Sequence, residues 1–179
     1  MKKLMVLATV AFCAIMAQAA QFEWSASQLR EGWVDGSVKA DGTAYLFLVG
    51  ANGASVDAVT AAISGAKDVT ALGTTLAGMA IDTKSVATGV ITGTTAEGIA
   101  ATAPATLFFA VISDEGYAYQ GATVTVTEIE ALGSTTVSFG SQKTASSASG
   151  AWTAVAPEPT SGLLMLVGFG ALALRRRRA

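Results

Sequence analysis

Short apolar runs, broken by glycine, threonine and serine, set the pattern along the middle of this chain. Tyr45-Leu46-Phe47-Leu48-Val49 is apolar throughout and stops at Gly50, as a buried strand does. Leu107-Phe108-Phe109-Ala110-Val111-Ile112 is a second such run. Asp114-Glu115-Gly116 then reads as a turn, with glycine supplying positive φ, and Tyr117-Ala118-Tyr119 returns from it as a hairpin partner. Thr123-Val124-Thr125-Val126-Thr127 alternates with period two, one face Val and the other Thr. Val137 and Phe139 suggest a last strand, and residues 86–92 a weaker one.

One stretch has the helical period. Ser55 is placed to cap it, Val56, Val59 and Ile63 share a face, and Gly65 is placed to end it. Val69, Leu72 and Leu76 repeat that spacing, weakened by Gly73, Thr74 and Thr75. These elements predict a mainly β fold: a small antiparallel β-sandwich-like domain with a short helical insertion, the alternative being α+β. The domain is expected over residues 20–153, with 141–150 reading as a Ser/Gly-rich linker or solvated loop.

The two ends follow a different pattern. Lys2 and Lys3 precede an apolar run over residues 4–17, broken by Thr9, and then Ala17-Gln18-Ala19. Small residues at Ala17 and Ala19 suit a cut before Ala20, so residues 1–19 read as a signal peptide. As a helix the run is about 21 Å long, short of the ~30 Å a stable span needs. At the other end, Pro157-Glu158-Pro159 holds the backbone extended. An uncharged stretch over 162–174 follows, then Arg175, Arg176, Arg177 and Arg178. The arginines act as a cytoplasmic stop for a short transmembrane helix at about 160–174, whose apolar part covers only about 20 Å.

The tail over 154–179 resembles the PEP-CTERM sorting signal in the order, spacing and terminal position of these parts: Pro157-Glu158-Pro159, Thr160-Ser161, the apolar segment and Arg175 to Arg178. The resemblance covers only this end of the chain. It implies recognition by an exosortase, an integral-membrane cysteine-protease-like enzyme that cuts near the motif and releases or transfers the protein to the surface. It also implies a Gram-negative host that makes extracellular polysaccharide. The expected route is signal peptidase, export across the inner membrane, transient anchoring there, then the cell surface or the extracellular space.

Composition narrows the function of the middle. The formal charge of −2 includes both ends. Without them, five basic residues (Arg30, Lys39, Lys67, Lys84 and Lys143) face twelve acidic ones, a net of about −7. Such a surface repels phosphate backbones and argues against nucleic acid as a partner. There is no histidine, and the single cysteine, Cys13, lies in the leader. Ser-His-Asp triads, Cys-His pairs and His/Cys zinc sites are thereby excluded from the exported part. No cofactor is expected.

The remaining candidates are weak. Ser64-Gly65-Ala66-Lys67 matches S-x-x-K, but nothing matches the other elements of penicillin-recognising enzymes, and Ser64 reads as a helix end. Asp114 and Glu115, or Glu128 and Glu130 on a presumed strand, are the carboxylate pairs open to a hydrolase. Asp35-Gly36-Ser37 and Asp41-Gly42 read as hairpin turns rather than a calcium loop. Trp24, Trp33, Tyr45, Tyr117, Tyr119 and Trp152 could stack on sugars or fill a core. The leading expectation is a non-catalytic surface or matrix protein. A carbohydrate-binding module for exopolysaccharide is the alternative, and a hydrolase the second.

Overall fold

Residues 19–30, 40–130, 133–142 and 151–155 are described by a computed structural model, the side chains of 92–95 excepted. The first strand, β1 (Ala20–Ser27), buries Phe22, Trp24 and Ala26 and turns Glu23 to solvent. β2 (Gly42–Leu48) leads through a short 3-10 turn, Ala51–Gly53, into helices α1 (Val56–Gly65) and α2 (Val69–Met79). Strands β3 (Asp82–Val86), β4 (Ile91–Ile99), β5 (Ala105–Ser113), β6 (Tyr117–Val126), β7 (Thr135–Ser141) and β8 (Trp152–Ala154) complete the fold.

The protein is mainly β. Its strands form a three-stranded sheet ordered β4-β1-β7 and a five-stranded sheet ordered β3-β2-β5-β6-β8. One apolar core lies between the sheets, built from Phe22 and Trp24 of β1, Leu46 of β2, Leu107, Phe109 and Val111 of β5, and Val137 and Phe139 of β7. A second core covers the far face of the larger sheet. There Tyr45, Phe47, Phe108, Ala110 and Ile112 meet Val59 and Ile63 of α1 and Leu72 and Leu76 of α2. The large sheet is therefore buried on both faces at its centre. That is why β2 and β5 read as unbroken apolar runs instead of alternating ones: successive side chains enter different cores.

Both helices begin on side-chain caps. Ser55 Oγ accepts from the Ala58 N–H at 3.1 Å, and Asp68 Oδ1 accepts from the Ala71 N–H at 2.6 Å. Each such cap is worth about 1 kcal/mol. The helix ends at Gly65, as expected, and the chain turns extended at Ala66. The segment weakened by Gly73 is a full helix, because Leu72 and Leu76 are buried against the sheet and outweigh the low propensity of Gly and Thr.

Several further expectations need correction. The sheets are not purely antiparallel, since β1 pairs with β7 in parallel, Phe22 opposite Thr135 and Trp24 opposite Val137. Residues 86–92 are not one strand. The chain reverses at 87–90, bridging Ala87 to Val90, and separates β3 from β4. Thr88 (φ 50) and Gly89 (φ 74) take the left-handed conformations the reversal needs. Tyr117 and Thr123 belong to one continuous strand, β6, and β8 follows β7 as the final strand. Val49 lies beyond β2 and is 43% exposed. Ser141 belongs to β7 and not to the linker expected over 141–150.

Candidate functional site

The expected sorting residues mostly lie outside the described residues. These are Ala17 of the signal-cleavage pair, Pro157, Glu158 and Pro159 of the motif, and Arg175, Arg176, Arg177 and Arg178 of the stop, together with the membrane segment at 160–174. Among the described residues no helix is long and apolar enough to cross a membrane. Ala19 is exposed and stands immediately before β1, whose first residue Ala20 is buried and paired with Ile99.

The internal candidates are dispersed. Ser64 and Lys67 are both exposed, Ser64 inside the last turn of α1 and Lys67 in the link to α2. Asp114 and Glu115 sit in the exposed turn between β5 and β6. Glu128 and Glu130 do not share a strand face. β6 ends at Val126, and both lie exposed in the following loop. Asp41 does not belong to an acidic loop among the described residues. Its carboxylate accepts from the Thr88 N–H and so caps the β3–β4 reversal. Asp35 and Trp33 lie outside the described residues. Among the described residues no group of three or more Asp, Glu, His or Cys side chains is placed to hold a metal ion.

Four of the aromatic candidates, Trp24, Tyr45, Tyr119 and Trp152, are core rather than surface. Trp24 is fully buried, and Tyr45, Tyr119 and Trp152 are 7%, 8% and 5% exposed. Trp24 meets Phe139 edge-on, and Tyr119 stacks on Trp152 with ring centroids 5.2 Å apart. Tyr117 is half-buried. Sequence alone could not separate the two roles, because the period-two pattern that buries Trp24 is equally compatible with exposing it. Burial pushes the phenols of Tyr45 and Tyr119 above the usual value of 10.0 by desolvating the phenolate.

The clefts are open and mostly lined by small groups. One of about 460 Å³ runs between the helices past Ala62, Ala66, Ala71 and Leu72, with the charged pair Lys67 and Asp68 on its lining. Another of about 320 Å³ lies beside Thr43, Tyr45, Thr70, Gly73 and Ser113, with Asp114 on its rim. Ser113 borders the second cleft beside Asp114, and its Oγ accepts from the Tyr117 N–H at 3.1 Å.

The most constructed region lies around Leu29, Ala40, Gly89 and the 113–116 turn, where Val155 is bound. Leu29, Ala40 and Gly89 bond one another in a ring: Leu29 N–H to Gly89 O at 3.0 Å, Gly89 N–H to Ala40 O at 2.7 Å, Ala40 N–H to Leu29 O at 3.1 Å. A Cβ at Gly89 would stand 2.4 Å from Leu29 O, so only glycine closes the ring. Asp114 N–H donates to Asp41 O at 2.9 Å, Gly116 N–H to Ser113 O at 3.0 Å, and Val155 N–H to Gly116 O at 2.9 Å. Val155 is 1% exposed and packs in the helix-side core. Its backbone is thus tied two residues before Pro157. β1 runs about 23 Å from Ala20 to Ser27 at ~3.3 Å per residue.

No family model matches this chain, and the searches of curated proteins and of solved structures return no match.

Proposed function

We propose that this chain is an exported surface or extracellular-matrix protein without catalytic activity, sorted through its tail by an exosortase-type membrane protease. The observation that carries the reading is the order at the C-terminus: Pro157-Glu158-Pro159, the apolar segment at 162–174, and Arg175 to Arg178. The position of the fold within the chain supports it. β1 starts at Ala20, the first residue after the expected signal-peptide cut, and β8 ends at Ala154, just before the motif. A sandwich-like β domain lies between the two expected cuts.

The polysaccharide-binding alternative is not carried forward on its original ground. Its stacking residues Trp24, Tyr45, Tyr119 and Trp152 are buried. The hydrolase alternative rests on carboxylates that sit in separate turns and loops.

The test is the intact mass of the protein from its native host, in membrane and extracellular fractions. The expected species begins at Ala20 and ends near Pro157. A single membrane-bound species that keeps Arg175 to Arg178 would overturn the sorting reading. Turnover of a polysaccharide or peptide by the purified domain would overturn the non-catalytic one.

A further inference from the structure

We propose that the cleft between β2 and α2, into which the Tyr45 hydroxyl opens, is a binding site for a single uncharged sugar ring. The site is independent of the sorting reading, and it calls on no exposed aromatic face.

Tyr45 is 7% exposed and packs in the helix-side core with Phe47, Phe108 and Ile112. Its polar end reaches the edge of that core. Gly73 and Tyr45 both line the cleft of about 320 Å³, and a Cβ at Gly73 would stand 3.2 Å from Tyr45 Oη. The absence of a side chain at Gly73 therefore leaves the hydroxyl open to the cleft. Among the described residues that hydroxyl has no hydrogen-bond partner. A phenol this far buried ordinarily finds one. Tyr119, in the other core, does so: its hydroxyl donates to Gln142 Oε1. Tyr45 Oη is thus a placed donor and acceptor facing the cleft without a protein partner.

The rest of the lining sets the ligand class. Thr43 of β2 and Thr70 of α2 border the cleft with further hydroxyls, Asp114 with a carboxylate, and Ile112 with an apolar surface. No Lys or Arg is among the lining residues, so nothing there offsets an anion, and Asp114 repels one. A divalent cation needs several oxygen ligands, carboxylates above all, and Asp114 is the single carboxylate of this lining. Hydroxyls that both donate and accept, one carboxylate that accepts, and a small apolar wall match a ring with adjacent hydroxyls on its edge and C–H groups on its face. Small-molecule pockets run from about 300 to 1,000 Å³. This cleft lies at the small end of that range, which suits one ring and not a length of chain.

The test titrates the protein, purified from its native host, with glucose, galactose, mannose, rhamnose, xylose and N-acetylglucosamine, each as the free sugar and as its methyl glycoside. Methyl glucuronide is the anionic control, and saturation-transfer NMR reads binding. At least one neutral sugar is expected to bind, and the glucuronide is not. Binding of the methyl glycoside as well as the free sugar assigns the ligand to the end of a glycan chain, and binding of the free sugar alone to a monosaccharide. Tyr45→Phe is expected to weaken binding about tenfold, through loss of one buried hydrogen bond. Gly73→Ala crowds the hydroxyl and is expected to weaken it at least about threefold. Tyr119→Phe removes a buried hydroxyl from the other core and is expected to leave binding unchanged. A thermal melt of each variant confirms folding, and Gly73→Ala carries the test should Tyr45→Phe fail to fold. Binding of none of the neutral sugars overturns the site. Glucuronide binding as tight as neutral binding also overturns it, as does binding that Tyr45→Phe and Gly73→Ala leave unchanged. The sorting reading is untouched by each of these results and is decided by the intact mass.

Discussion

The indole Nε1 of Trp24 donates to Asp82 Oδ2 at 2.8 Å, joining β1 of the small sheet to β3 at the edge of the large one. Trp24 is fully buried, so its N–H has little access to water. Lys84 lies 3.9 Å from the other carboxylate oxygen and adds little, since it is an exposed partner. Asp82→Ala orphans the indole N–H and is expected to cost about 1–3 kcal/mol. Asp82→Asn keeps an oxygen acceptor and loses less. Urea unfolding checks both, and an alanine variant as stable as the parent would show that the bond carries no net stability.

Phe109 and Gly121 are matched by shape. A Cβ at Gly121 would fall 2.0 Å from Phe109 Cε1, and the β5–β6 register shifts between Phe108 and Ala110. Gly121→Ala must displace the ring and is expected to destabilise by about 1–3 kcal/mol. Phe109→Ala removes a fully buried ring and is expected to cost about 3–5 kcal/mol. Together the two should cost clearly less than the sum of each alone, because the clash is gone. Strict additivity in the double-mutant cycle would show that the contact is absent.

Gly73 makes the same point more gently. Its Cβ would lie 3.2 Å from Tyr45 Oη, close enough to crowd the hydroxyl. Alanine in mid-helix gains up to about 1 kcal/mol over glycine. Gly73→Ala alone is expected to change stability little, as the two effects offset. In a Tyr45→Phe background the helix gain should appear in the melting temperature. A larger gain with Tyr45 intact would contradict this account.

Tyr119 predicts an alkaline limit. Its hydroxyl donates to Gln142 Oε1 at 2.5 Å, and Gln142 Nε2 donates to Phe139 O at 2.8 Å. Burial raises the folded-state phenol above 10.0, so the unfolded chain releases its proton first. The stability contribution is complete below pH 10.0 and is lost as pH rises from there through the folded value. Tyr45 is raised for the same reason and acts in the same direction. The denaturation midpoint should hold below pH 10.0 and then fall, less steeply in Tyr119→Phe. Equal slopes in the two proteins would assign the fall to other groups.

Much of the local structure was legible in the sequence. The two apolar runs became the twice-buried strands β2 and β5, and Asp114-Glu115-Gly116 turned the hairpin with Gly116 at φ 85. Ser55 capped α1 as expected. β1 was missed although Phe22, Trp24 and Ala26 alternate, because its neighbours are far away in sequence and no turn marks it. β8 was missed because three residues carry no period. Of the candidate site, the terminal motifs are sequence features by nature. The tether of Val155 to Gly116 is not, since a backbone hydrogen bond leaves no side-chain signature.

The sequence by itself determined the β-rich character, the Ser55 cap, the main hairpin and the two terminal segments that motivate the sorting proposal. All of these depend on residues near one another in the chain, where period, charge and turn chemistry act directly. Tertiary structure decided the parallel pairing of β1 with β7, the burial of Trp24, Tyr119 and Trp152, and the pairing of β8 with β6. The reason is that strand register and face are settled by which distant strand completes the core. Phe22 finds Thr135, and Tyr119 finds Trp152, only after the sheets have packed.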